Sequence, residues 1–274
     1  MNKFENKIVI VTGGASGIGR SICVYLAQKG AKVMIADRNL VGAQETEAMI
    51  ISDGGYGKAF HVDVTNQHEI EALFKTTLDD HGRIDYLFNN AGISVDGEFQ
   101  DISLDHWKHV LDVNLWGTVY GCHYVYPIMQ KQGSGHIINT ASLAGLIPGG
   151  LTSCYSASKH AVVGFSLTLR SEARQYGIKV SAFCPGMIRT DILNTASKVT
   201  DYMNSPRNRE RTSKMKLPTP EDVVKKIIRG VARNKGIIVV PVKHKIYWWI
   251  HRIFPEFMPN MFNRIIRMMK KEAV

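Results

Sequence analysis

The sequence predicts an α/β chain: a single doubly wound parallel sheet with helices on both faces, extended at its C-terminus by a basic helical segment. Three observations carry that expectation. Short apolar runs alternate with longer helical patterns from residue 7 to residue 242, and strands reached through helices pair in parallel. A glycine-rich turn, "TGGASGIG" (12–19), joins the first run to the first helix. The 274 residues suffice for one large α/β domain with a sizeable core. The expected division is a domain over 1–242, in which 191–216 form a lid, and an extension over 243–274.

In chain order, "KIVIVTG" (7–13) reads as a buried strand and 17–30 as a helix closed by Gly30. "KVMIAD" (32–37) is the next strand, followed by a helix from Leu40 to Ile51. Further strands are expected at 58–64, 83–92, 135–142 and 178–186, with "KGIIVVPV" (235–242) as the last. The stretch 191–216, polar and basic with little periodicity, reads as a long loop or mobile lid, and loops of that length are usually functional or disordered. No repeat and no low-complexity tract appears.

Hydrophobic residues at 45% and charged residues at 21% describe an ordinary globular protein. The N-terminus has charges at 3, 5 and 7 before a strand-length apolar run, so no export signal is read, and no run reaches the ~18 residues of a membrane span. Cys23, Cys122, Cys154 and Cys184 show no metal spacing and read as reduced thiols of a cytoplasmic protein. His61, His81, His106, His109, His123 and His136 show no ligand pattern either, so no metal is expected.

The turn after the first strand is where a phosphate meets a helix N-terminus. Gly13, Gly17 and Gly19, with Ser16 and Ile18, would let the backbone approach a phosphate; the plainer alternative is a tight strand-to-helix turn. Asp37 ends the second strand, where an acidic residue accepts the hydroxyls of an adenosine ribose, which favours NAD over NADP. Arg38 would soften that preference by binding a phosphate, and Asp37 is alternatively a cap or turn residue. Asp63 would hold adenine, with Val64 offering backbone groups, or else is a turn residue.

"SCYSASKHAVVGF" (153–165) sets Tyr155 four residues before Lys159, one above the other if helical. That spacing alone arises by chance. In order along the chain, however, "TGGASGIG", Asn89-Asn90-Ala91-Gly92, Asn114, Ser142, Tyr155-Ser-Ala-Ser-Lys159 and Pro185-Gly186 together resemble the short-chain dehydrogenases/reductases from about Lys7 to Val240. The resemblance implies a Rossmann-like, NAD(P)-binding catalytic domain and a tetrad of Asn114, Ser142, Tyr155 and Lys159. Tyr155 would be the acid/base and Ser142 would orient the substrate oxygen. Lys159 would hold the ribose, and Asn114 would anchor a water relaying protons to Lys159. It also implies cofactor contacts from Asn90, Ala91, Gly92, Pro185 and Gly186, from the Ile188 backbone and from the Thr190 hydroxyl, with Asn89 either at the cofactor or within the sheet. Homodimers or homotetramers through the helices bearing Asn114 and Tyr155 would follow, with Tyr120, Tyr124 and Tyr126 as packing or subunit contacts.

The chemistry is consistent with that role. A tyrosine of pKa near ~10 needs roughly 4 kcal/mol to reach ~7. A lysine ~5 Å away supplies about 3 kcal/mol at an effective dielectric of ~20. The expected substrate walls are Ile93, Ser94, Val95, residues 143–151, Cys154 and Met187. They are mostly apolar, which favours a lipophilic secondary alcohol or ketone such as a steroid, retinoid or fatty molecule. Arg207, Arg209, Arg211, Lys214 and Lys216 of the lid are a solvated face or attract an anionic handle such as coenzyme A, which keeps an NADP-dependent acyl-thioester reductase in view. A non-catalytic nucleotide-sensing scaffold is the third reading.

The net charge is +10, and half lies in the tail, where Lys243, Lys245, Arg252, Arg264, Arg267, Lys270 and Lys271 face only Glu256 and Glu272. Met261, Ile265, Met268 and Met269 repeat at helical spacing, after an aromatic run broken by Pro255 and Pro259. This extension reads as docked on its own or a neighbouring subunit, or as an interfacial helix in peripheral contact with anionic lipid. Nucleic acid has no groove-reading motif to support it.

Overall fold

In the computed structural model, which describes residues 3–190, 192 and 196–273, seven strands form one parallel sheet. They are β1 (Ile8–Thr12), β2 (Lys32–Asp37), β3 (Tyr56–His61), β4 (Tyr86–Asn89), β6 (Gly135–Thr140), β7 (Ile178–Pro185) and β9 (Ile237–Val240). Their order is β3-β2-β1-β4-β6-β7-β9, so the winding reverses between β1 and β4 and opens a crevice there. Two-residue strands β5 (Val95–Asp96) and β8 (Ser197–Lys198) pair separately.

Both faces of the sheet are covered, which is why its strands read as unbroken apolar runs. Val9, Val11, Val33 and Ile35 point to one face, against α1 (Gly17–Ala27), α2 (Leu40–Ser52) and α8 (Pro220–Ala232). Ile10, Met34, Leu87 and Ile137 point to the other, against α3 (Gln67–His81), α5 (Gly117–Gln132) and α6 (Ser153–Ala173). The period-2 alternation thus divides the core in two.

Several boundaries differ from expectation. The strand expected at 58–64 stops at His61 because Asp63 accepts the backbone N–H and hydroxyl of Thr65 and turns the chain. The run 83–92 contributes only Tyr86–Asn89. The stretch 191–216 is not a featureless loop. It holds β8, a short turn of helix over Asp201–Asn204 and α7 (Pro206–Ser213), and β8 is stitched to β5. Asp191 and residues 193–195 of the expected lid, and the side chains of Arg209 and Arg211, lie outside the described residues.

The extension forms α9 (Lys245–Ile253) and α10 (Phe257–Ala273). Of its two prolines only Pro255 marks a break. Pro259 sits in the first turn of α10, where its missing N–H has no intrahelical partner to lose. The extension docks on its own chain. Trp248 packs on the cluster of Leu146, Val162 and Cys184, and Met258 is fully buried. Lys270 pairs with Glu98 at 2.5 Å.

A buried carboxylate fixes where β4 begins. Asp85 accepts the Ile8 N–H of β1 at 3.0 Å and bonds from Arg83 and Lys7. Burial alone would raise its pKa, but those bonds hold it below 3.8. Asp85→Ala should therefore destabilise the fold by about 2 kcal/mol at neutral pH, by orphaning the buried Ile8 N–H. A depressed carboxylate contributes its full stability above its unfolded value near 3.8 and loses it as the pH falls through the folded pKa. Urea midpoints of parent and variant should differ at pH 7 and converge in acid; a constant gap would refute the assignment.

Candidate active site

The C-terminal ends of β1, β4, β6 and β7 meet at the crevice, each contributing a loop. After β1 the chain turns so tightly that a Cβ on Gly19 would lie 1.9 Å from the Gly13 carbonyl oxygen. Gly17 adopts φ +52°, with Thr190 directly across from it. Ser16, at the N-cap of α1, is exposed and makes no capping bond. The first N–H groups of α1 therefore face an open cradle suited to an anion.

Asp37 braces that cradle: its Oδ2 accepts the Ala15 N–H at 3.0 Å and its Oδ1 the Asn39 N–H at 2.8 Å. It is thus a turn residue and also a carboxylate held at the rim. Arg38 is exposed beside it, and its charge reaches Asp63, which burial would raise but Thr65 and Arg38 hold low. Val64 is buried against Gly117.

The loop after β4 separates its two asparagines. Asn90 donates to the Thr12 and Gly13 carbonyls, both at 3.2 Å, and so pins the glycine-rich turn. Asn89 is turned into the sheet, bonded to Asn139 at 2.9 Å and only 3% exposed. The structure therefore decides between its two readings in favour of the sheet. Ala91 lies against Gly13, and Gly92 is bracketed by Asn114 Oδ1 and Lys159 Nζ, each 3.2 Å from where a Cβ would stand.

Asn114 sits on a π-helical turn (Asp112–Trp116) between α4 (Leu104–Leu111) and α5. Such turns re-aim a side chain inside a helix. Its amide accepts the Ile93 N–H at 2.9 Å and donates to the Ile93 carbonyl and to Ser158 Oγ, each at 3.0 Å. It thereby clamps the loop after β4 to α6.

α6 brings Tyr155 and Lys159 onto one face. The Lys159 ammonium stands 5.7 Å from the Tyr155 ring centroid and donates to the Thr140 carbonyl at 2.9 Å. It is 2% exposed, and no carboxylate pairs with it among the described residues. Burial lowers its pKa to about 8. Tyr155, half-buried, is hydrogen-bonded to Ser142, yet burial pushes its phenol up to about 12, with the Asp96 charge adding to the rise. The expected shift toward neutral pH does not occur, because removing the phenolate from water dominates the environment of the phenol.

Pro185 ends β7 and Gly186 follows it, with Ile188 buried in the core and Thr190 over the glycine-rich turn. Cys154, expected in the pocket wall, is fully buried with Val95, Ile102 and Val110, behind the wall rather than on it. His136 is a core histidine held neutral, at about 3, and bonded to Ser181.

Contributors at three places were missed from sequence. Asp96, one residue beyond the expected wall, is mostly buried, has a raised pKa and bonds Ser94. His244 abuts Gly186, with Nδ1 buried and without a hydrogen-bond partner among the described residues. Phe262 and Ile266 of α10 close on Gly150. Asp96 was legible from its position; the other two come from a segment with no motif.

Residues 7–200 match the short chain dehydrogenase family. The chain belongs to that family. As a short-chain oxidoreductase it is similar to cyclohexanol dehydrogenase of Acinetobacter sp. (strain SE19), 36% identical over 193 residues, or 70% of this chain and 77% of the relative. It is also similar to SadH of Mycobacterium tuberculosis (strain ATCC 25618 / H37Rv), 30% identical over 268 residues, covering 97% of this chain and 96% of the relative. That match spans most of the extension. Among solved structures, a short chain dehydrogenase/reductase from Burkholderia phymatum in complex with NAD superposes with TM-score 0.85 at 28% identity, covering 93% and 96% of the two chains. Levodione reductase does so at 0.79 and 27%, covering 87% and 97%.

The buried ammonium makes a prediction with a sign. A lysine titrating at about 8 rather than 10.5 loses its proton in the folded state before the unfolded one, so stability rises with pH between those values. Lys159→Met removes that rise. Its unfolding free energy from urea titration should fall relative to the parent's from pH 8 to pH 10, by up to about 3 kcal/mol. A gap that stays flat across this window would mean the lysine is not desolvated.

Proposed function

We propose that the chain is an NAD-dependent oxidoreductase that moves a hydride between nicotinamide and a lipophilic secondary alcohol or its ketone. The observation that carries this reading is the meeting of Ser142, Tyr155 and Lys159 across the crevice from an uncapped helix N-terminus with Asp37 at its rim. The cradle of Gly13, Ser16, Gly17, Ile18 and Gly19 fits a pyrophosphate, Asp37 a ribose diol, and Asp63 and Val64 an adenine. Asn90, Ala91, Gly92, Pro185, Gly186, Ile188 and Thr190 would line the nicotinamide half. A dinucleotide bound there would supply the hydride acceptor and, when oxidised, a positive charge beside Tyr155.

The chain's own residues do the rest. Ser142 donates to or accepts from the substrate oxygen and orients it. Tyr155 exchanges a proton with that oxygen, its direction set by whether alcohol or ketone is bound. Lys159 holds the ribose and stabilises the phenolate, and Asn114 anchors the water through which Lys159 is reprotonated. Residues 191–216 cover the substrate as a lid. The name of the cyclohexanol dehydrogenase relative supports a cyclic secondary alcohol. The largely apolar lining from Ile93, Leu146, Met187, Phe262 and Ile266 supports a lipophilic one. The groove between α5 and α6, lined by Tyr124, Tyr126, Phe165, Leu169 and Tyr176, supports a homodimer or homotetramer. The same reading places the enzyme in the cytoplasm, with the 243–274 extension as the part that meets a membrane surface.

Nicotinamide absorbance with cyclohexanols, steroids, retinoids and fatty alcohols tests the reaction. Turnover should appear with one lipophilic class and fall by about 10²–10⁴ in Tyr155→Phe, the span of lost acid/base catalysis. Unchanged turnover in that variant would sink the mechanism. Asp37→Ser should move the ratio of NAD to NADP efficiency by at least about tenfold toward NADP, through loss of the ribose bonds and of repulsion to the 2′-phosphate. If the parent already prefers NADP, Asp37 is a brace for Ala15 and Asn39 alone.

A further inference from the structure

α9 is anchored by one face and left bare on the other. Trp248 packs inward on Leu146 and Val162, whereas Ile246, Trp249 and Ile253, at i, i+3 and i+7, form a stripe exposed by 60%, 56% and 65%. The stripe continues through Phe254 and Phe257, 64% and 49% exposed, so the turn between the two helices is apolar as well. Isolated exposed apolar side chains are ordinary, but a continuous aromatic and branched-aliphatic ridge on a soluble domain marks a contact surface.

The charges around the ridge say what kind of contact. Lys243, Lys245 and Arg252 flank it and form no ion pair among the described residues. Arg252 stands over the Trp248 and Trp249 rings, at 5.7 and 6.0 Å. Farther along, Arg264, Arg267 and Lys271 are also exposed and unpaired among the described residues, and Glu256 and Glu272 are the two acids of the extension. A second copy meeting this face across a two-fold axis would bring the same cations together, which opposes self-association. An anionic surface with an apolar interior satisfies both features: headgroups for the cations, acyl chains for the ridge.

We propose that α9 and the turn into α10 dock this protein on an anionic phospholipid bilayer. Ile246, Trp249, Ile253, Phe254 and Phe257 enter the acyl boundary, and Lys243, Lys245 and Arg252 lie at the headgroups. No helix among the described residues is long and apolar enough to cross a membrane, so the contact is in-plane. The two helices also border the active site: His244 leans on Gly186, and Phe262 and Ile266 close on Gly150. Docking therefore sets the substrate wall against the lipid, and a substrate dissolved in the bilayer reaches the site without crossing water. This last step rests on the lipophilic-substrate reading; the docking itself does not.

The test uses the full chain, phosphatidylcholine vesicles with and without phosphatidylglycerol, and co-sedimentation. The parent should pellet with anionic vesicles, with tryptophan emission shifted to the blue, and should stay in solution with neutral ones. Raised salt should weaken binding. Trp249→Glu combined with Ile253→Glu should lower the partition coefficient by at least about tenfold while leaving the melting temperature and the turnover of a water-soluble cyclic alcohol unchanged. Parent that stays soluble with anionic vesicles, or a double variant that pellets as the parent does, would overturn the proposal. So would a parent whose mass halves on making the double variant, since a second copy would then cover the ridge. Failure of the function reading would show separately, as absence of turnover by a parent that still binds vesicles.

Discussion

The site depends on a cation that is buried without a counter-ion among the described residues. Lys159 is 2% exposed, and the Thr140 carbonyl is the hydrogen-bond acceptor its ammonium meets. A dipole compensates a charge far less than a carboxylate would, which is why burial brings the lysine down to about 8. The surroundings are arranged to tolerate this. Gly92 has no side chain where Asn114 Oδ1 and Lys159 Nζ come close, and Gly145 admits the Lys159 carbonyl, 2.4 Å from where its Cβ would stand. Asn114, locked by three hydrogen bonds to Ile93 and Ser158, holds both sides of that gap.

Tyr155 shows the same economy from the other side. Pushed up to about 12, its phenol is protonated and ready to donate, but a poor base. Asp96 sharpens the point, since a mostly buried carboxyl nearby, itself raised by burial, disfavours a second negative charge on the phenol. The free protein therefore favours a neutral tyrosine beside a lysine whose hold on its proton is weakened. The arithmetic of an ammonium ~5 Å from a phenol in a dielectric of ~20 captures the attraction. It omits the desolvation that both groups share, and desolvation decides the result.

How much of this was legible in the sequence follows from what each element buries. The seven strands of the main sheet were readable because a parallel sheet covered on both faces writes continuous apolar runs, and the helices between them supply the winding. Strand ends were less so: Asp63 terminates β3 through a bond to Thr65 that no apolar pattern records. The clustering of Ser142, Tyr155 and Lys159 was readable because a motif carries it. The direction of Asn89 was not, since two adjacent asparagines look alike until one bonds Asn139 inside the sheet and the other the glycine-rich turn. β5 and β8 are two residues each, too short for any periodicity, and the contact of α10 with Gly150 joins segments over a hundred residues apart in sequence.

These unsatisfied groups lie together, and that placement has an energetic meaning. An ammonium with no acid and a His244 Nδ1 with no partner among the described residues, a raised phenol and a raised carboxyl border one crevice. The ammonium, the carboxyl and the imidazole nitrogen each lower the stability of the free fold near neutral pH, and a fold can carry such groups where the rest of the structure determines their positions. β1, β4, β6 and β7 provide that determination through a two-sided core, and Asn114 and Asn90 extend it by tying the loops above the strands to one another. A ligand that supplies hydrogen bonds in the crevice recovers what the free protein forgoes, so binding and folding stability must rise together. The cost lies in the surroundings of the side chains rather than in the backbone: burial displaces Lys159 and Asp96 from their ordinary pKa values in opposite directions, each toward its neutral form.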